Sequence, residues 1–203
     1  MIKYKILTVL LALKTFFCSC DKDVVYDYSD LSHKTVSFKK KAKIDASIDE
    51  SSGLAHITDS TFYTHNDGSD NRLYEIDLKG RLLSTKEIPN ISLTDFEEMA
   101  EDQEHYYIGD IGNNSNLRRN LRIYKVHKKD FSRIDTISFS YPDQTEFPPV
   151  KKERNFDCEA FVYHNDSLFL FSKNRGYKLV KMYALPAKKG TYKAVVVDSM
   201  YLT

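Results

Sequence analysis

Glu50, Asp95 and Asp157 each open a stretch of the same design, and Glu97 and Glu159 follow two residues after the second and third of them, where the first stretch has Ser52. Carboxylates at equivalent positions of a repeat converge if the repeats surround an axis. Converging carboxylates repel one another unless a cation or a hydrogen-bond donor compensates. Two chemistries fit this pattern. One is oxygen ligation of a hard divalent ion, Ca²⁺ first among them. The other is capping of strand-entry turns, with the carboxylates accepting backbone N–H bonds.

A second equivalent set lies further along each stretch: His65-Asn66-Asp67-Gly68, then Gly109 to Asn114, then Ser172-Lys173-Asn174-Arg175. Asp110, Asn113 and Asn114 could complete a cation shell, and Lys173 and Arg175 could hold a phosphate or carboxylate. The same residue types are also what hairpin loops need where φ is positive. Other chemistry is excluded more firmly. GDIGNN lacks the third glycine of a dinucleotide fingerprint. The six histidines show no zinc-ligand pairing, and there is no GxSxG elbow.

The elements that would position these residues recur with them. Residues 50–78, 95–126 and 157–185 can be laid over one another, at intervals of 45 and then 62 residues. In each, an acidic residue opens a short apolar strand, a polar turn leads to an aromatic-rich strand, and a polar loop leads to an alternating strand. Fourth strands are expected over Leu82–Ile88, Ile134–Tyr141 and Tyr192–Tyr201. Thr35–Ile48 could supply one more strand ahead of the first unit. The longer second interval is taken up by the Pro-containing YPDQTEFPPVKKERN. Repeated four-stranded meanders predict an all-β fold of the β-propeller type over residues 35–203. Three units and a leading strand do not close a ring, since propellers have about four to eight blades. The expected explanation is C-terminal truncation, with pairing to another chain as the alternative.

The N-terminus predicts export. MIKYK is a short basic start, Ile6 to Phe17 is mostly apolar, and FFCSC follows. This is the layout of a signal-peptide helix over residues 1–19, too short to span a bilayer. Phe17-Cys18-Ser19-Cys20 resembles a relaxed lipobox, which makes Cys20 the expected lipidated residue and Cys18 the alternative. Residues 20–34 then read as a tether from a membrane anchor, placing the protein in the cell envelope. After cleavage only Cys20 and Cys158 remain. No disulfide framework is expected, and Cys158 reads as a packed strand cysteine. The formal net charge is +1 over 203 residues, which gives no sign of a nucleic-acid partner.

THNDG with LYEIDLKG, TDFEEMAED, YYIGDIGNN, LRIYKV and DCEAFVYHNDSLFLFSKNR together resemble a family of bacterial propellers described as having the esterase-like activity of phytase. The resemblance covers residue 50 to about residue 185. It implies a six-bladed type of propeller with a divalent-cation site, and it points to Glu97, Glu98, Asp110 to Asn114, Glu159 and Lys173. Two functions follow as expectations. One is an envelope module that binds a small-molecule ligand or a protein partner on the propeller face. The other is a metal-dependent esterase or phosphoesterase using Glu97, Glu159 and Asp110, with Lys173 and Arg175 steadying anionic charge.

Overall fold

The computed structural model describes residues 40, 42–174 and 179–201. The signal segment, Cys20, the tether and Arg175 lie outside the described residues. Residues 1–40 and 41–203 form separate units, and the fold described below belongs to the second. It is all-β, with a single 3-10 turn at Lys151–Glu153 and no α-helix among the described residues. No helix there is long and apolar enough to cross a membrane.

Three sheets, each built on an antiparallel meander, follow one another along the chain. The first contains β1 (Ser51–Thr58), β2 (Thr61–Asn66), β3 (Arg72–Asp77) and β4 (Leu82–Glu87), in that spatial order. The second contains β5 (Phe96–Glu101), β6 (His105–Asp110), β7 (Arg122–His127) and β8 (Asp130–Ser140). The third contains β9 (Asp157–His164), β10 (Ser167–Lys173) and β11 (Leu179–Pro186), with β13 (Val195–Tyr201) outermost. The first strands β1, β5 and β9 lie side by side.

The three repeat units of the sequence thus correspond to three sheets, and turn chemistry explains the tight β9–β10 hairpin. Asn165 and Asp166 both have positive φ, at 46° and 58°. That is the two-residue geometry whose twist matches antiparallel strands and which Asn and Asp tolerate. The buried run Tyr106–Asp110 of β6 also has a physical cause. β6 is a central strand of the middle sheet, so both of its faces are covered. Tyr107 joins a core with Ile123, Ile137, Phe161, Leu170 and Tyr183, between the second and third sheets. Tyr106 and Ile108 join another core with Ala55, Leu73, Phe96 and Met99, between the first and second. A strand covered on both faces reads as a continuous apolar run rather than an alternating one.

Two expectations change. Tyr192–Tyr201 is not one strand. Gly190–Lys193 forms β12, which pairs in parallel with β8 as a fifth strand of the second sheet. Buried Ala194 continues that pairing by donating its N–H to Ser140 O, and the chain then crosses to β11 as β13. The detour covers the outer edge of β8, whose unpaired backbone groups would otherwise template association. Second, described residues 42–50 contain no strand. Ile44 and Ile48 instead pack on Phe62, Tyr74, Ile76 and Leu82, covering part of the far face of the first sheet.

Candidate functional site

The site is built where the three first strands begin, and each of these strands carries a bulge there. On β5, Phe96 pairs with Asp110 and Glu98 with Gly109, which leaves Glu97 as the extra residue. On β9, Cys158 pairs with Ser172 and Ala160 with Phe171, leaving Glu159. On β1, Gly53 and Leu54 together face Thr64, between the pairs Ser52–His65 and Ala55–Tyr63. A bulge bends its strand and re-aims a side chain out of the regular alternation. Glu97 and Glu159 are therefore turned by the same device at the same level of adjacent sheets.

The loops bring in the rest. Gly68 O accepts the N–H of Phe96 at 2.7 Å, tying the loop after β2 to the start of β5 and carrying Asp67 across to the second sheet. Ile111 and Gly112 donate to Asp95 O at 3.1 and 3.2 Å. Asn113 donates its backbone N–H to Asp157 Oδ1 at 2.8 Å and its side-chain amide to Phe156 O at 3.0 Å. Each loop thus docks on the first strand of the following sheet.

Two acidic groups result: Asp67 with Asp95 and Glu97, and Glu97 with Asp157 and Glu159. Within each group the ligand oxygens lie within 4.8 Å of one another, and Glu97 belongs to both. Glu97 is 7% exposed and Asp157 fully buried, whereas Asp67 is exposed. Burial, followed by the charges of Asp67, Glu159, Asp95 and Asp157, pushes the Glu97 carboxyl up to about 8. Asp95 is also raised, by burial and then by Asp67, with Arg118 opposing. An ideal Cβ at Gly112 would overlap Asp95 Oδ2, Asp95 Cγ and Glu97 Oε1, all well inside the 3.0 Å that real Cβ atoms respect. Only glycine lets this loop press against the acids.

The other residues singled out from the sequence have different placements. Asp110 is fully buried and lies outside the two acidic groups. It accepts the N–H groups of Thr94 and Asp95, both at 3.0 Å, and pairs with Arg118 at 2.8 Å and Arg122 at 3.0 Å. The side-chain oxygen of Asn113 accepts the N–H of Arg118 at 2.9 Å. Glu50 is exposed, belongs to neither group, and offers its carbonyl to Asp67 N–H at 2.9 Å. Lys173 pairs with Glu159 at 2.8 Å, which sets one cation beside the acidic centre.

Sequence reasoning did not assign Asp67, Arg118, Arg122 or His65. Asp67 had a signal, because it lies in the loop set equivalent to Gly109–Asn114, but its approach to the next sheet depends on the Gly68 contact. His65 is fully buried and stacked on Phe96, with ring centroids 3.4 Å apart. Its Nδ1 lies 2.9 Å from Asn66 O, and its Nε2 has no hydrogen-bond partner. Burial lowers its pKa to about 4, so the ring is neutral at ordinary pH.

Chemically, the donor set is all carboxylate oxygen, which suits a hard cation and lacks the His and Cys that dominate zinc sites. Glu97, shared by both groups, is placed to ligate from either side. No protein-family model matches the chain, and no curated protein matches it.

Proposed function

We propose that this protein is a lipid-anchored β-propeller module of the cell envelope that binds a divalent cation of the Ca²⁺ type at its convergent carboxylates. Through that ion it takes up a small-molecule ligand or a protein partner on the same face. The observation that carries this reading is the pair of acidic groups sharing buried Glu97. Five carboxylates from three sheets meet, and an oxygen-ligated ion would relieve their mutual repulsion. The bulges that turn Glu97 and Glu159 to one level support it, as does the resemblance of the DFEE and DCEA segments to the phytase-related propellers.

A second reading is a metal-dependent phosphoesterase, and one observation favours it. Lys173 stands 2.8 Å from Glu159, where an ammonium could steady an anionic ester. Hydrolysis of generic phosphate and carboxylate esters, present in the wild type and lost in Glu97→Gln, would select the enzyme. Binding of Ca²⁺ without turnover would select the module.

The experiment for the cation is a thermal melt with Ca²⁺ and with chelator. Free Ca²⁺ at about a hundred times its dissociation constant should add about 2.7 kcal/mol. An unchanged melting temperature at millimolar Ca²⁺ removes the site. The anchor is tested separately by metabolic labelling with palmitate. Label should enter the wild type and not Cys20→Ala, and equal labelling of both would remove Cys20 as the acceptor.

A further inference from the structure

The end of the second sheet away from the acids gathers positive charge and imidazoles. His105 opens β6 and faces His127 at the end of β7, with ring centroids 5.4 Å apart and planes perpendicular. Lys125 lies two residues before His127 and so shares its face of the sheet. On β8, the pairs Val126–Ile134 and His127–Asp130 leave Phe131, Ser132 and Arg133 outside the regular ladder. Such an irregularity re-aims side chains. Ser132 and Arg133 line one cavity of about 340 Å³ together with His105, Lys125, His127 and Asp135. His105 and Asp110 stand at opposite ends of β6, about 17 Å apart at the rise of a strand, so this cavity is separate from the acidic centre.

The carboxylates around the cavity are engaged elsewhere. Asp135 stands opposite Lys125 on the ladder but pairs with Lys189, at 3.3 Å. Asp130 accepts the N–H and the hydroxyl of Ser132 at 3.0 and 2.6 Å. Asp102 accepts the N–H groups of Glu104 and His105 and the Tyr107 hydroxyl, at 2.7, 2.6 and 2.7 Å. Lys125 donates to Ala187 O at 3.1 Å, which leaves two of its three N–H bonds to give. Neither Lys125 nor Arg133 has an ion pair among the described residues. The two histidines present opposite chemistry. His127 Nδ1 accepts the N–H of Lys129 at 3.1 Å, which puts the ring proton on Nε2. His105 Nδ1 lies 3.1 and 3.2 Å from the two oxygens of Asp102 and donates to that carboxylate. In the neutral ring its Nε2 is therefore a bare acceptor.

We propose that this cavity is a binding site for inorganic phosphate, held as hydrogenphosphate by Lys125, Arg133, His105 and His127. The ion carries bare oxygens that accept hydrogen bonds and one P–OH that donates. Lys125, Arg133 and His127 Nε2–H supply the donors, and the two cations make theirs charge-assisted. His105 Nε2 accepts the P–OH. Two full positive charges match a dianion better than a singly charged carboxylate. Sulfate has the charge and shape of the ion but no hydrogen, so the His105 lone pair would face an anionic oxygen and go unpartnered. The inference rests on this cavity and not on the acidic centre. Measured with chelator present, phosphate binding stands or falls independently of the Ca²⁺ melt.

The test is a calorimetric titration of the metal-free full chain with sodium phosphate at pH 7 and constant ionic strength, with the histidine ring signals followed by NMR. Saturable binding is expected, with the signals of His105 and His127 moving together. Arg133 is exposed, so Arg133→Gln should keep the wild-type circular dichroism. It should weaken phosphate about tenfold, the scale of one charge-assisted hydrogen bond. Sulfate should bind the wild type about tenfold more weakly than phosphate, since it leaves His105 without a donor. Lys173→Met, beside the acidic centre, should bind phosphate as the wild type does. Absence of saturable binding at millimolar phosphate, wild-type affinity in Arg133→Gln, or sulfate bound as tightly as phosphate overturns the proposal. Binding lost in Lys173→Met and kept in Arg133→Gln also overturns it, by placing the phosphate at the acidic centre.

Discussion

Asp110→Ala should lower the stability of the protein by about 3–5 kcal/mol, the scale for removing one partner of a buried ion pair. In urea denaturation the midpoint falls while the slope is kept. The size follows from how much Asp110 holds. It is fully buried between Arg118 and Arg122, whose side chains are themselves only 12% and 28% exposed, and it accepts two backbone N–H groups at the entry to β5. Truncation leaves two guanidinium groups and two amides to find other partners at once. Asp110→Asn should cost less, since an amide oxygen can still accept from Thr94 and Asp95. A loss under about 1 kcal/mol for Asp110→Ala, the scale of a surface pair, would mean that Asp110 does not anchor this strand.

The second large effect is on pH dependence, and it comes from Glu97. Its folded pKa of about 8 lies above the ordinary 4.5. Between those values the folded state holds a proton that the unfolded state has lost, so stability falls as pH rises through this window. His65 acts in the opposite sense. Its folded pKa of about 4 lies below the ordinary 6.5, so its contribution is lost as pH falls from 6.5 towards 4. The two oppose each other up to pH 6.5, and above it His65 is neutral in both states. Without Ca²⁺, denaturation should therefore show stability declining from pH 6.5 to 8, with the decline flattened in Glu97→Gln. Saturating Ca²⁺ should remove it as well, because the ion replaces the proton. A metal-free wild type with no decline over this interval would show that Glu97 is ionised in spite of its neighbours.

Much of the architecture is legible in the residues because the repeat is local. The acidic residue, the polar turn and the aromatic strand recur in step, and each hairpin needs only its own turn residues. What escaped prediction depends on contacts distant in sequence. Tyr192 looks continuous with the strand after it, and only the free edge of β8, some fifty residues earlier, draws it into another sheet. The site divides in the same way. Asp95, Glu97, Asp157 and Glu159 come together because equivalent strands carry equivalent bulges, which a superposition of repeats can anticipate. Asp67 joins them through the contact of Gly68 O with Phe96, which no local pattern announces. Asp110 looks like a ligand in the sequence because a carboxylate in a Gly- and Asn-rich loop suits a cation. Arg118 and Arg122 engage it first, and the first of these is held by Asn113 in the same loop.

The most direct measurement is a calorimetric titration of the wild type and Glu97→Gln with Ca²⁺ at pH 7, each repeated in two buffers of different ionisation enthalpy. With the Glu97 carboxyl protonated before the ion arrives, the wild type should bind Ca²⁺ saturably and release close to one proton per site filled, and Glu97→Gln should bind much more weakly with no proton released. Absence of binding heat at millimolar Ca²⁺, or wild-type affinity and proton release in Glu97→Gln, would contradict a cation site centred on Glu97.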